Sequence, residues 1–342
     1  MKSVLILQDV LAHYRRPLFD ELAKYYRVTI LHSSRTARTG FNHFDEIIIP
    51  ELKIGPIHLQ NAISIYRIKQ QFDVVISMCD LRWPAYILPF IWRCSLKWIL
   101  WGHRYSSRPF VNVVRDLLLK KADRILLYSE EDVSTMIKRG VDPNKICIAP
   151  NTVYIPNHAD MSGADKSSFL FVGRLQPRKR IDLLIRAFSE IQDRIPRNIV
   201  LDIVGGGLLE PQLQNLAIRL GIAKKVIFHG PVFDSIKLAG LFSRAYAYVS
   251  PGPVGLGVLH SFAYGVPVVT LRKARHGPEF QNLIHFKNSV ILENESDLAS
   301  ALEWICDNFG TIRTLGHNAY IHYIQNRTIN HMLAGFRKAI ED

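Results

Sequence analysis

Cysteine is scarce in this chain. Cys79, Cys94, Cys147 and Cys306 are its four cysteines, scattered over 342 residues with no paired spacing; that pattern excludes a disulfide framework and a cysteine-built zinc site. A reducing compartment suits such a chain, and a cytoplasmic location is expected. Long apolar runs are also missing. The amino terminus, Met1 to Asp9, has an apolar run of only four residues, Val4 to Leu7, shorter than a secretion signal needs, and reads as a first strand. The most apolar region, Trp83 to Trp101, is interrupted by Pro84, Pro89, Arg93 and Lys97, whereas a spanning helix needs about 20 mostly apolar residues. No spanning segment is expected. No repetitive tract and no nucleic-acid-binding motif occurs, so disorder and a nucleic-acid partner are excluded as well.

What is present is ample core material. Hydrophobic residues make up 48% of the chain and charged residues 21%, enough to build packed domains, and the length fits two of them. The formal charge is +13, with 22 Lys and Arg against 14 Asp and Glu in residues 1–150 and 21 against 16 in the remainder. A first half this basic suits a phosphate-bearing substrate or an anionic membrane surface. Such charge extends the expected location to the inner face of a membrane. The aromatic stretch Trp83 to Trp92 can lie on such a surface or form a buried helix, and burial is favoured.

Short apolar runs alternate with helical patterns: Val4 to Leu7, Val28 to Leu31, Val74 to Ser77, Trp98 to Trp101, Ile125 to Tyr128 and Lys145 to Ala149. This is the rhythm of a parallel α/β sheet. Asn151 to Ser168 then loses apolar periodicity and gathers Pro156, Asn157, Asp160, Gly163 and Asp165, as a linker does. A second rhythm follows, with strands at Ser168 to Val172, Val200 to Val204, Val226 to Phe228, Ala247 to Ser250 and Val266 to Thr270, and helices between them. The expected organisation is a domain over 1–155, with a C-terminal helix from about 320 to 342 packing back on it, and a second domain over 156–319.

Chemistry concentrates at strand-to-helix turns. The strand Ser168 to Val172 ends in Gly173-Arg174, and a turn crowded with cations leads to a helix at Ile181. Arg174 and Lys179 stand where a diphosphate can be gripped by charge-assisted bonds; Arg178 and Arg180 read as solvated. Leu201 to Val204 ends in Gly205-Gly206-Gly207, where backbone N–H groups can approach an anion. A third stretch, Tyr248 to Thr270, runs strand, Gly/Pro loop with Gly255-Leu256, short helix with His260, and strand.

In this order and spacing the three stretches resemble the carboxyl-terminal domain of glycosyltransferase family 4, retaining enzymes of the GT-B architecture. The resemblance continues into Gly277-Pro278-Glu279 and more weakly over the first half. It implies two facing doubly wound, Rossmann-like domains with a cleft between them, the first on the acceptor side and the second binding a nucleotide diphosphate-sugar. It also implies that Arg174 and Lys179 bind the donor diphosphate, with Gly173, Gly205, Gly206, Gly255 and Leu256 in the donor-binding loops. His103, at the end of the strand Lys97 to Trp101, takes the place of a histidine close to the donor sugar. The chain departs from the family where two glutamates stand eight positions apart, since these positions are Gly252 and His260. His260 either hydrogen-bonds the ribose or packs as a helix histidine, and Glu279 is a candidate substitute for the sugar contact. Near the start, His13, Arg15 and Arg16 lie in a Tyr-Arg turn that resembles a variant within the family, and the two arginines are candidates to meet an acidic acceptor.

The implied activity is metal-independent, retaining transfer of a hexosyl or related sugar to a glycan or lipid-linked acceptor in polysaccharide biosynthesis, without a cofactor. Two alternatives stand beside it: a non-catalytic or impaired membrane-associated nucleotide-sugar-binding protein, and a nucleotide-sugar epimerase.

Overall fold

The computed structural model describes residues 1–33, 43–60, 71–87, 96–102, 105 and 108–342. His103, proposed above for the donor sugar, lies outside the described residues. The chain forms two compact units, Met1–Tyr154 with Thr328–Asp342, and Ile155–Arg327.

In the first unit the strands are β1 (Ser3–Leu7), β2 (Arg27–His32), β3 (Asp45–Ile48), a hairpin of β4 (Leu52–Ile54) and β5 (Ile57–Leu59), then β6 (Val74–Met78), β7 (Lys97–Trp101), β8 (Arg124–Leu127) and β9 (Ile146–Ile148). Helices α1 (Arg16–Ala23), α2 (Pro109–Lys121) and α3 (Val133–Lys138) connect them. Apart from the hairpin, these strands form one parallel sheet in the order β3-β2-β1-β6-β7-β8-β9. Strands covered on both faces must be apolar on both faces. Every residue of β1 is accordingly buried.

The second unit comprises β10 (Ser168–Val172), α4 (Ile181–Ile191), β11 (Val200–Val204), α5 (Glu210–Arg219), β12 (Val226–Phe228), α6 (Ser235–Ser243), β13 (Ala245–Ser250), α7 (Gly257–Ala263), β14 (Val268–Leu271), β15 (Ser289–Leu292), α8 (Asp297–Asp307) and α9 (Phe309–Asn326). Its parallel order is β12-β11-β10-β13-β14-β15. This is the doubly wound order whose direction reverses between the first and fourth strands, and ligands of such sheets bind outside the carboxyl ends there. In this unit the reversal lies between β10 and β13, so the loops after Val172 and Ser250 frame the place to look.

The return to the first unit is made by α10 (Ile329–Glu341) alone. The segment from 320 to 327, expected to return with it, stays in the second unit because α9 runs on to Asn326 and packs along α7. Gly335 explains why α10 can dock. A Cβ there would come within 2.2 Å of the Ile148 carbonyl oxygen, so only glycine lets the helix lie this close to β9.

Trp83, Tyr86 and Ile87 are buried, and Trp83 stacks on both His58 and Tyr86. The described part of the aromatic stretch is therefore core and no membrane surface. Among the described residues no helix is long and apolar enough to cross a membrane.

Candidate functional site

The turn after β10 is clamped between glycine backbones. Gly205, at φ +132°, would place a Cβ 1.9 Å from the Gly173 carbonyl oxygen, Gly207 would place one 2.4 Å from that of Leu175, and Gly252 one 2.1 Å from that of Arg178. Hydrogen bonds follow the same seams. Gly173 N–H donates to Val204 O at 2.9 Å, Leu175 N–H to Gly206 O at 3.0 Å, and Gly252 N–H to Lys179 O at 3.2 Å. Gly205 N–H donates to Gly230 O at 2.8 Å. The Gly205 N–H is thus already engaged, which withdraws it from the N–H groups expected to approach an anion, and Gly205 and Gly207 stand where neighbouring carbonyl oxygens leave no room for a Cβ.

The clamp positions Lys179. It closes the short 3-10 turn Pro177–Lys179 and is half-buried, with Nζ donating to the Pro253 carbonyl oxygen across from the β13 loop. Burial disfavours its charged form, and the neighbouring Arg178 charge adds to this while the Glu279 carboxylate opposes it; the ammonium pKa is pushed down to about 8. Arg174, at the end of β10, is exposed, and among the described residues its guanidinium has no hydrogen-bond or ion-pair partner. One cation is held at the carboxyl edge and another is free to swing there. Arg178 bonds the Gln176 amide oxygen at 3.2 Å. Arg180 takes a left-handed backbone, φ 52°, and forks onto Glu295 at 2.6 and 2.9 Å.

The loop after β14 supports the same place. Val254 N–H donates to His276 Nδ1 at 3.2 Å, and His276 Nε2–H donates to Leu271 O at 2.7 Å, so the partners assign a neutral ring. Burial lowers its pKa first, the bond to Leu271 works against that, and the Lys179 charge lowers it further. His276 stacks on Phe280 at 4.1 Å, and Glu279 is buried beside it. The sequence reading passed over His276; the signal was a histidine directly before Gly277-Pro278, at the mouth of a strand-to-helix turn. A cavity of 510 Å³ next to this loop is lined by Arg178, Arg180, Gly252, Lys273, Arg275 and Glu295 among others. Neither Arg174 nor Lys179 lines it, so the carboxyl edge itself is the candidate site.

Gly255 stands in open space and Leu256 opens α7. Gly257 is required by its neighbour, since a Cβ there would meet the Tyr248 hydroxyl at 2.4 Å. The His260 ring lies parallel to Phe242, centroids 6.2 Å apart.

In the first unit the two arginines of the Tyr-Arg turn part company. Arg16 is buried and forks onto Glu46 at 2.7 and 3.3 Å, and His32 Nε2 lies 3.3 Å from the same carboxylate. Burial raises the Glu46 pKa, yet the hydrogen bonds and charge of Arg16, helped by His32, outweigh it and hold the carboxyl below its ordinary range. Arg16 is therefore a structural partner of Glu46 and is withdrawn from the acceptor role. Arg16→Lys, which cannot fork, is expected to cost about 1.5–3 kcal/mol, one charged hydrogen bond; urea unfolding measures it, and unchanged stability would show that the fork is idle. The carboxylate's contribution is present above the unfolded pKa and is lost as pH falls through the lowered folded pKa. His13 is exposed, its ring edge-on to Tyr14 at 5.8 Å. Arg15 lies among aromatic rings, described below.

Residues 166–308 match the family model described as glycosyl transferases group 1. Among curated proteins, the D-inositol 3-phosphate glycosyltransferase 2 of Catenulispora acidiphila is 31% identical over 61% of this chain and 54% of its own length. A D-inositol 3-phosphate glycosyltransferase of Streptomyces scabiei is 33% identical over 48% of this chain and 42% of its own length. The chain thus spans about half the length of these relatives. Among solved structures, a glycosyltransferase from Rickettsia africae is similar with TM-score 0.75 and 15% identity, over 100% of this chain and 99% of the other. The Anabaena protein Alr3699/HepE in complex with UDP is similar with TM-score 0.73 and 17% identity, over 99% of both chains.

Proposed function

We propose that this chain, whose residues 166–308 match the glycosyl transferases group 1 model, transfers a sugar from a nucleotide diphosphate-sugar to a glycan or lipid-linked acceptor, with Arg174 and Lys179 receiving the diphosphate. The observation that carries this reading is Lys179: a half-buried ammonium, fixed by a backbone carbonyl at the sheet's point of reversal, where a doubly wound sheet binds its ligand. In the transfer, the bond between the anomeric carbon and a phosphate oxygen breaks, and the acceptor hydroxyl oxygen forms the new bond and gives up its proton. Negative charge gathers on the departing diphosphate, and a cation already in place stabilises it without reorganisation. Two side-chain cations then supply what a metal supplies elsewhere, so the transfer is metal-independent; retention of configuration rests on the family resemblance. The Anabaena neighbour's complex with UDP supports a nucleotide diphosphate as the bound product.

An anionic membrane surface belongs to the same reading. On α2, Phe110, Val113 and Leu117 are 79%, 51% and 63% exposed along one stripe, with Arg108 at one end and Lys120 and Lys121 at the other. An apolar stripe ending in cations suits an anionic lipid interface.

The test is calorimetric titration with UDP across pH. Free Lys179 loses its proton as pH rises through about 8, and a bound diphosphate raises that pKa, so affinity should fall above pH 8 by up to about tenfold per pH unit until the bound pKa is reached. Lys179→Arg should abolish the break. A flat profile, or no UDP binding by the wild-type chain, overturns the assignment. Binding without transfer would select the second reading, a nucleotide-sugar-binding protein that does not catalyse, which the missing carboxylate at Gly252 favours.

A further inference from the structure

In the first unit one half-buried cation has no carboxylate paired with it among the described residues. Arg15 ends the 3-10 turn His13–Arg15 between β1 and α1, at the carboxyl edge of the parallel sheet. Its guanidinium carbon lies 4.6 Å from the centroid of the Trp101 ring, 5.2 Å from that of Tyr128 and 5.4 Å from that of Tyr14. Nη2 donates to the Tyr128 hydroxyl oxygen at 2.8 Å. Nη1 is covered and finds no acceptor, and the indole Nε1 of Trp101, on whose ring the guanidinium rests, is likewise an unmatched buried donor. The contrast with its neighbour is direct: Arg16 forks onto Glu46, whereas no carboxylate pairs with Arg15 among the described residues.

Aromatic faces attract a cation but do not neutralise it, and they accept no hydrogen bond from its edge. One orphan donor on a positively charged fork, with a second on the indole it rests against, calls for a ligand made of acceptors. We infer that Arg15, on its Tyr14, Trp101 and Tyr128 platform, binds an oxyanion carried by the acceptor, a phosphate or a carboxylate on a sugar. This deepens the proposed transfer by naming the acceptor's chemical class, and it rests on that reading for the word acceptor. Tyr128 positions the fork, and Trp101 sets its plane.

The test uses the full chain with Arg174→Ala and Lys179→Ala, so that the second unit's cations do not take up the probe. Glucose 6-phosphate, glucuronate and glucose offer one ring with a tetrahedral oxyanion, a planar one and none. Calorimetry should show binding of at least one charged sugar and none of glucose; the tighter of the two charged probes identifies the group. Adding Arg15→Met should weaken that binding at least about tenfold, and Arg15→Lys should keep part of it, because the charge stays and the fork is lost. Equal binding of glucose and the charged sugars, no binding at all, or affinity unchanged in Arg15→Met would overturn the inference. If the methionine variant does not fold, Arg15→Lys decides alone: unchanged affinity overturns, weakened affinity supports. UDP binding is read separately on the chain with Arg174 and Lys179 intact, so failure of the donor assignment and failure of this one are told apart.

Discussion

Lys179→Ala is expected to lower turnover about a hundred- to a thousand-fold, the usual cost of removing one fixed donor from developing negative charge, while the thermal midpoint stays near that of the parent chain. The two halves of this expectation have different causes. Turnover falls because the ammonium is already fixed by the Pro253 carbonyl before any ligand arrives, so the departing diphosphate meets a preoriented charge. Stability holds because the side chain contributes little to folding: its ammonium is partly desolvated, with a pKa pushed down to about 8, and alanine removes that penalty together with one hydrogen bond. Arg174→Ala should cost less in turnover, since that guanidinium is exposed and must be ordered by the ligand. The measurement is steady-state transfer with a nucleotide diphosphate-sugar alongside calorimetric melting. Transfer within about twofold of the parent in the Lys179→Ala protein would remove Lys179 from the site.

The strands that carry the site were legible for a plain reason. A parallel strand buried on both faces is a nearly continuous apolar run, and Phe169 to Phe171, Tyr248 to Val249 and, interrupted only by the ion-paired Asp202, Leu201 to Val204 are buried in this way. The elements that escaped notice lack that signature. β3 has no buried residue and β4 is fully exposed, and β15 is a four-residue strand preceded by the polar turn at Lys287 and Asn288. Side-chain roles were less legible than strands, because partners lie far along the chain. Arg15 and Arg16 look equivalent as a dipeptide, yet one rests on Trp101 and the other on Glu46. Lys179 is fixed by a carbonyl 74 positions away. The glycines show the same limit: a Gly-rich turn reads as a phosphate cradle, and only the distances from Gly205 and Gly252 to neighbouring carbonyls reveal that backbone crowding requires them.

Gly252→Glu is the sharpest case of this crowding. The family resemblance suggests that restoring a carboxylate at this position should improve a weak enzyme. The geometry gives the opposite expectation. Any Cβ at 252 would lie 2.1 Å from the Arg178 carbonyl oxygen, 2.7 Å from Lys179 Cα and 2.8 Å from the Lys179 carbonyl carbon. All three are backbone atoms, and no flexible side-chain end can give way. Relief therefore requires one loop to move, which breaks the Gly252 N–H to Lys179 O bond and draws Nζ from the Pro253 carbonyl. Overpacking of this kind costs about 1–3 kcal/mol or more, and it falls on the segment that carries Lys179. Both Gly252→Ala and Gly252→Glu should then lower the thermal midpoint and weaken UDP binding at least about tenfold, a loss of about 1.4 kcal/mol. The alanine variant separates crowding from charge: parallel losses in both trace the effect to Cβ, whereas a loss confined to glutamate traces it to the added carboxylate. If Gly252→Glu binds UDP as well as the parent and transfers faster, the two loops do not meet as described, and the position is an ordinary family site that has lost its acid.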